Sequence, residues 1–259
     1  MELSLINKRV LVTAGASGIG RSIVNTFLQA GARVHVCDID TKALNELKKL
    51  EPNVSITTCD VSEIEQVKNL FDDVKAALGG LDILINNAGV TGPTFTKVEN
   101  IEPKDWVRTM AVNINGQFFC VRYATPLLKA AGGGSIINMS SVAGRLGYPL
   151  RTPYAASKWA IVGFTESLAM ELGPDNIRVN CLQPGFVDGP RSRRLRAAQA
   201  QALGETIEQC EARMFAKTSM RQRVSPDEVA ALALFVTSEF GAHITGQSLS
   251  VCGGVETLR

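Results

Sequence analysis

Tyr154 and Lys158 stand four residues apart in Tyr154-Ala155-Ala156-Ser157-Lys158, with Ser141 thirteen positions upstream. Residues at that spacing share one face of a helix, so a lysine ammonium can lie beside a tyrosine ring. A nearby positive charge favours phenolate over phenol. A tyrosine held in this way can take the proton of an alcohol or return it to a carbonyl, while a serine hydroxyl fixes the substrate oxygen. Plainer readings exist for the same residues. A Tyr-x-x-x-Lys pair suits any surface helix, and Ser141 alone suits a helix cap or a turn. Ser-His-Asp hydrolysis is disfavoured, since His35 lies in an apolar run, His243 stands alone, and neither is placed to serve Ser141 or Ser157.

A second chemical motif is Thr13-Ala14-Gly15-Ala16-Ser17-Gly18-Ile19-Gly20. Glycines at 15, 18 and 20 allow a tight turn and close approach to a pyrophosphate, which would rest on the N-terminus of a helix beginning near Arg21. Alone, such a turn also fits a plain strand-to-helix connection. Asp38, eighteen residues after Gly20, sharpens the reading. A carboxylate there accepts from both adenosine ribose hydroxyls, whereas a 2′-phosphate would meet a like charge. No basic residue stands at Ser17 or directly after Asp38. NAD is therefore expected over NADP.

The elements that must position these groups alternate along the chain. Apolar, β-branched runs at 10–13, 34–37, 54–59, 83–86, 135–139, 179–182 and 248–251 are predicted strands. Helical periods fall at 21–30, 41–50, 64–78, 106–129, 155–172 and 227–237. Strands joined by helical crossovers imply an α/β fold: one doubly wound, three-layer, Rossmann-like parallel sheet of about seven strands, with ligands at the carboxyl ends. No linker or repeat divides the 259 residues, so one domain is expected over residues 1–259. Residues 188–225 break the rhythm, polar and without a strand, and read as a helical substrate lid before the last helix and strand.

The glycine turn, Asn86-Asn87-Ala88-Gly89 after the fourth strand, Asn113, Ser141, Tyr154, Lys158 and Pro184-Gly185 occur in that order over nearly the whole chain. Together they resemble the short-chain dehydrogenase/reductase family, in its single-domain form. The resemblance implies an oxidoreductase acting on CH–OH groups, with Ser141, Tyr154 and Lys158 catalytic. It implies that Gly15, Ser17, Gly18, Ile19, Gly20 and Asp38 contact the cofactor. Asp60 and Val61 would flank its adenine, Asn87, Ala88 and Gly89 its ribose side, and Pro184, Gly185 and Val187 its nicotinamide. Tyr154 and Lys158 would reach the nicotinamide ribose, and Asn113 would hold a water linking Lys158 to solvent. Two departures stand out: Ala14 where the family usually has its first glycine, and Asp188 where a threonine is common.

Substrate signals are thinner. The lid carries Arg191, Arg193, Arg194, Arg196, Arg213, Lys217, Arg221 and Arg223 against Asp188, Glu205, Glu208 and Glu211. That excess fits either an anionic substrate group or a solvated helical face. Arg145 and Arg151, close to Ser141 and Tyr154, are the better candidates for substrate contact. A sugar, hydroxy acid or small cyclic alcohol all fit, as does a 3-oxoacyl ketone, although Asp38 opposes the NADPH of biosynthetic reduction. A non-catalytic dinucleotide-binding regulator would keep the glycine turn without the active residues.

Whole-chain properties exclude several classes. A net charge of +2 argues against nucleic acid and membrane surfaces. Six cysteines, at 37, 59, 120, 181, 210 and 252, form no C-x-x-C, and with two histidines no metal site is expected. The N-terminus lacks a signal-peptide apolar region, and a cytoplasmic protein is expected. By resemblance the chain should form a homo-oligomer, a tetramer, through the helices at 106–129 and 155–172 with help from the tail at 253–259.

Overall fold

The computed structural model describes residues 3–255; the side chains of Pro190 and Arg191, and the tail beyond Val255, lie outside what is described. Seven strands form one parallel sheet: β1 (Arg9–Thr13), β2 (Arg33–Asp38), β3 (Ser55–Thr58), β4 (Ile83–Asn86), β5 (Gly134–Met139), β6 (Ile177–Pro184) and β7 (Ser248–Val251). Their order is β3-β2-β1-β4-β5-β6-β7. The chain leaves β1 toward one edge and returns at β4 to build the other, so the strand order reverses between β1 and β4. A crevice opens at such a reversal above the carboxyl ends, which is where the glycine turn and Asn87 lie.

Helices α1 (Gly18–Gln29), α2 (Thr41–Leu50), α3 (Ile64–Leu78), α4 (Pro103–Met110), α5 (Gly116–Ala130), α6 (Thr152–Leu172), α7 (Pro190–Leu203), α8 (Ile207–Phe215) and α9 (Pro226–Thr237) complete the described elements. Strand alternation sends side chains to both faces. Val10, Val12, Val34, Val36 and Ile85 pack with Ile23, Phe27 and Val229 on the α1–α9 side. Leu11, Leu84, Ile136 and Val179 pack with Leu70, Val74, Leu128 and Leu172 on the other. Each fully buried aliphatic or phenyl side chain contributes about 1.5–3 kcal/mol of transfer free energy, which is why both faces are covered.

Two expectations change, while the lid is helical as expected. The first helix starts at Gly18 rather than near Arg21, because Gly18 and Gly20 enter the helix themselves. The single helix expected over 106–129 is two, joined by a π-helical turn at Ala111–Asn115, with an earlier start at Pro103, a residue preorganised for a first helical turn. The lid holds two helices, α7 and α8. An isolated parallel bridge between Val187 and Val224 closes its neck.

Candidate active site

The glycine turn is built on strain and close packing. Ala14 adopts φ +49°, a left-handed conformation that costs a non-glycine residue about 1–2 kcal/mol. A Cβ on Gly15 would stand 2.7 Å from Val36 Cγ1, and one on Gly20 would strike the Ala14 carbonyl and come within 2.6 Å of Asn87 Nδ2. Gly18 differs: it has φ +55° and nothing within 4 Å of its Cβ position. Exposed Ser17 and Gly18 thus leave the N-terminus of α1 open, as a pyrophosphate requires. Thr13 Oγ1 accepts from the Asn87 and Ala88 amides, each at 3.0 Å, and Asn87 Nδ2 donates to the Thr13 and Ala14 carbonyls. This bracing locks the turn to the end of β4. Thr13 was not singled out from the sequence; a threonine ending a strand before a glycine turn is the only signal it gives.

Asp38, nearly buried at 8 % exposure, faces the turn. Its Oδ2 accepts from Ala16 N at 3.2 Å and its Oδ1 from Asp40 N at 3.1 Å. Asp60 follows β3, accepting from the Ser62 amide and hydroxyl on Oδ1 and from Arg108 Nη2 at 2.9 Å on Oδ2. Burial would raise its carboxyl, but Ser62 and Arg108 outweigh burial and hold it below the usual range. Val61 is buried against Gly116. These groups fit a dinucleotide: an open helix N-terminus for phosphates and a carboxylate beside it for a ribose diol.

The catalytic candidates converge at the ends of β5 and α6. Lys158 is 4 % exposed and donates from Nζ to Met139 O at 2.8 Å, while Ser140 Oγ donates to Lys158 O at 2.7 Å. Nζ lies 5.6 Å from the centre of the Tyr154 ring. Ser141 caps the 3-10 turn Val142–Gly144 by accepting from Ala143 N at 3.2 Å. The capping reading of Ser141 therefore holds, and as an acceptor in that bond the hydroxyl keeps its proton to donate.

Asn113 sits in the π-helical turn, fully buried. Its Oδ1 accepts from Val90 N at 2.7 Å, and its Nδ2 donates to Val90 O and to Ser157 Oγ at 2.9 Å. The amide thus satisfies a backbone segment. It also faces Lys158 across Gly89, where a Cβ would stand 3.3 Å from Asn113 Oδ1 and 3.5 Å from Lys158 Nζ. Ser157, weighed in the sequence only as a hydrolytic serine, is what ties Asn113 to α6.

Arg151 and Arg145 part ways. The Arg151 guanidinium lies 4.3 Å from the centre of the Tyr154 ring and 5.4 Å from that of Tyr148, within cation–π range. Its Nη2 donates to Thr91 O at 3.3 Å, and its buried Nε has no partner. Burial pushes the Tyr148 hydroxyl up, against the opposing pull of Arg151. Arg145 instead reaches Ser248 O on the edge strand β7, at 3.4 Å. Gly185 closes against Cys252, Val187 lies in the neck bridge, and Asp188 takes up lid cations.

The lid's arginines are mostly committed inside it. Arg193, Arg196 and Arg223 pair with Asp188; Arg196 and Arg223 also pair with Glu211, and Arg213 with Glu205. Arg221 caps the carbonyls of Phe215 and Ala216. A lid-wide anion-binding surface is thereby excluded for these five, because their charge is already answered.

A family model described as Enoyl-(Acyl carrier protein) reductase matches residues 13–256. The chain belongs to the short-chain dehydrogenase/reductase family. Momilactone A synthase of Oryza sativa subsp. japonica is 36% identical over 258 residues, 98% of this chain and 92% of that protein. Among solved structures, a point variant of actinorhodin polyketide ketoreductase with NADPH superposes with a TM-score of 0.92 at 30% identity, covering 98% of this chain and 99% of that one. NAD+-bound xylitol dehydrogenase gives 0.90 at 28% identity, covering 96% and 99%. The chain is an oxidoreductase of CH–OH or ketone groups that uses a nicotinamide dinucleotide. These two neighbours carry different cofactors, NADPH in one and NAD+ in the other.

Proposed function

We propose that the chain oxidises a polar secondary alcohol with NAD, or reduces the matching ketone with NADH, using Tyr154 as general acid and base. The observation that carries this reading is the Tyr154 ring with two cations in range, Arg151 at 4.3 Å and Lys158 at 5.6 Å from its centre, while Ser141 follows the end of β5. A bound nicotinamide supplies the hydride acceptor in oxidation and the donor in reduction. Ser141 donates to the substrate oxygen and holds it against Tyr154 Oη. In oxidation Tyr154 takes the hydroxyl proton as the carbon–oxygen double bond forms; in reduction it returns that proton to the oxygen. Lys158, fixed by Met139 O, holds positive charge near the phenol, and Asn113, across Gly89 from Lys158, would hold the water that connects Lys158 to solvent.

Gly15, Ser17, Gly18, Ile19 and Gly20 would cradle the pyrophosphate, Asp38 the adenosine ribose, and Asp60 and Val61 the adenine. Asn87, Ala88, Gly89, Pro184, Gly185 and Val187 would line the rest. Arg151 is the better placed of the two arginines near the substrate, since Arg145 is spent on β7. Six free buried cysteines support a cytoplasmic protein. Exposed Trp106, Val107, Phe118, Trp159 and Met170 on α4, α5 and α6 support a tetramer. The test is purified protein with NAD or NADP and a panel of sugars, hydroxy acids and cyclic alcohols, read as absorbance of reduced nicotinamide. Turnover with NAD should fall at least about a hundredfold in Tyr154→Phe while NADH binding persists. Equal turnover by Tyr154→Phe would overturn the reading.

A further inference from the structure

Among the described lid residues, Arg194 is an arginine that no carboxylate answers. It is exposed, and among the described residues it has neither an ion pair nor a hydrogen bond, unlike its neighbours Arg193 and Arg196. With Leu195, Val90 and Thr91 it lines a cleft of about 300 Å³ between α7 and the segment after β4, at the lower end of small-molecule sites. No carboxylate lies among those four residues. A second guanidinium reaches the same wall, because Arg151 donates to Thr91 O while leaving its buried Nε without an acceptor. Arg151 also stacks on Tyr154, so the cleft wall connects directly to the reacting centre.

We propose that this cleft is the specificity subsite for an oxyanion carried by the substrate, a carboxylate or a phosphate ester, with Arg194 as its ionic contact. The inference rests on the alcohol dehydrogenase reading and sets the substrate class as a hydroxy acid or phosphorylated alcohol. A guanidinium binds either oxyanion through paired N–H donors, which a lysine or glutamine cannot reproduce.

The test compares hydroxy acids with their own methyl esters, and phosphorylated sugars with the free sugars, in wild type, Arg194→Gln, Arg194→Lys and Arg213→Gln. Arg194→Gln should raise KM about tenfold or more for the anionic member, leave the neutral member within about twofold, and leave kcat nearly unchanged. Arg194→Lys should recover part of the loss, and Arg213→Gln, whose arginine is paired within the lid, should discriminate between neither member. The carboxylate and phosphate pairs show which oxyanion the cleft prefers. A binding arm separates this proposal from the parent reading: butyrate, but not butyramide, should raise the melting temperature of the NADH-saturated protein, and Arg194→Gln should abolish that rise. Turnover of neutral alcohols with no Arg194 effect on anionic ones overturns the subsite alone. Absence of any turnover together with an Arg194-dependent butyrate effect overturns the alcohol reading alone.

Discussion

Cofactor choice rests on one carboxylate, and Asp38→Asn removes its charge while keeping an acceptor oxygen. In the structure each Asp38 oxygen accepts one backbone N–H, from Ala16 and from Asp40, so the group is fixed before any ligand arrives. A hydrogen bond to a charged group is worth about 1.5–3 kcal/mol and a neutral one about 0.5–1.5, so two ribose contacts lose roughly 2–3 kcal/mol on neutralisation. For NADP the sign reverses. Two negative charges on a 2′-phosphate about 5 Å from a carboxylate repel by roughly 3 kcal/mol at an intermediate effective dielectric of about 40, and the substitution removes that penalty. Together, at about 5–6 kcal/mol, the preference for NAD over NADP should shrink by about ten-thousandfold, less where salt screens the phosphate. Fluorescence titration with NADH and NADPH measures this without a known substrate, and kcat/KM with each cofactor measures it once one is found. Asp38→Ala is the poorer probe, since it also strands two N–H groups at a nearly buried position and costs stability. If Asp38→Asn leaves the ratio of NADH to NADPH dissociation constants unchanged, Asp38 does not read the ribose.

Two further outcomes follow from conformation and burial. Ala14→Gly relieves the left-handed strain at φ +49° but returns entropy to the unfolded chain, so a net gain of about 0.5 kcal/mol, or roughly 1–2 °C in Tm, is expected by calorimetry; a fall in Tm would show that the Ala14 methyl contributes packing that outweighs its strain. Burial drives His35 down to about 4, with Ser55 and Thr57 hydroxyls on its two ring nitrogens. Its folded value lies below its unfolded value of 6.5, so the unfolded chain binds the proton first as pH falls. Stability is full above 6.5 and should decline by about 3 kcal/mol as pH drops toward 4. Asp60 and Asp82, both held low, lose their contributions only at still lower pH, so urea unfolding of wild type against His35→Gln isolates the histidine as a steeper wild-type decline between those values. Parallel pH profiles would remove His35 as the cause.

What could be read from the sequence was what local chemistry dictates. Buried parallel strands must be apolar and β-branched, so all seven were visible, with edges displaced by at most two residues. Gly15 and Gly20 announced the turn because a Cβ at either would strike its neighbours, and Gly18 because its φ of +55° strains most other side chains. The π-helical turn at 111–115 was invisible, since the apolar period runs through it unbroken and only the demand of Asn113 for Val90 and Ser157 explains the extra residue. The Pro103 start did carry a signal, a proline followed by an acidic first turn. The roles of Thr13 and Tyr148 had no comparable mark, because both depend on which strands and loops become neighbours.

The lid shows most clearly why composition stops short of function. Counting cations against carboxylates gave an excess of positive charge over residues 188–225, and the count alone allowed every arginine to face a substrate. Pairing decides otherwise. Asp188 answers Arg193, Arg196 and Arg223, and Glu211 meets Arg196 and Arg223 from the next helix, so the departure from threonine at 188 serves to fasten the lid to its own neck. Arg196 is 4 % exposed and would be costly without these carboxylates. Among the described lid arginines, Arg194 over the cleft has no carboxylate to answer it, and a charge left unpaired at a cleft is one that a substrate can still neutralise.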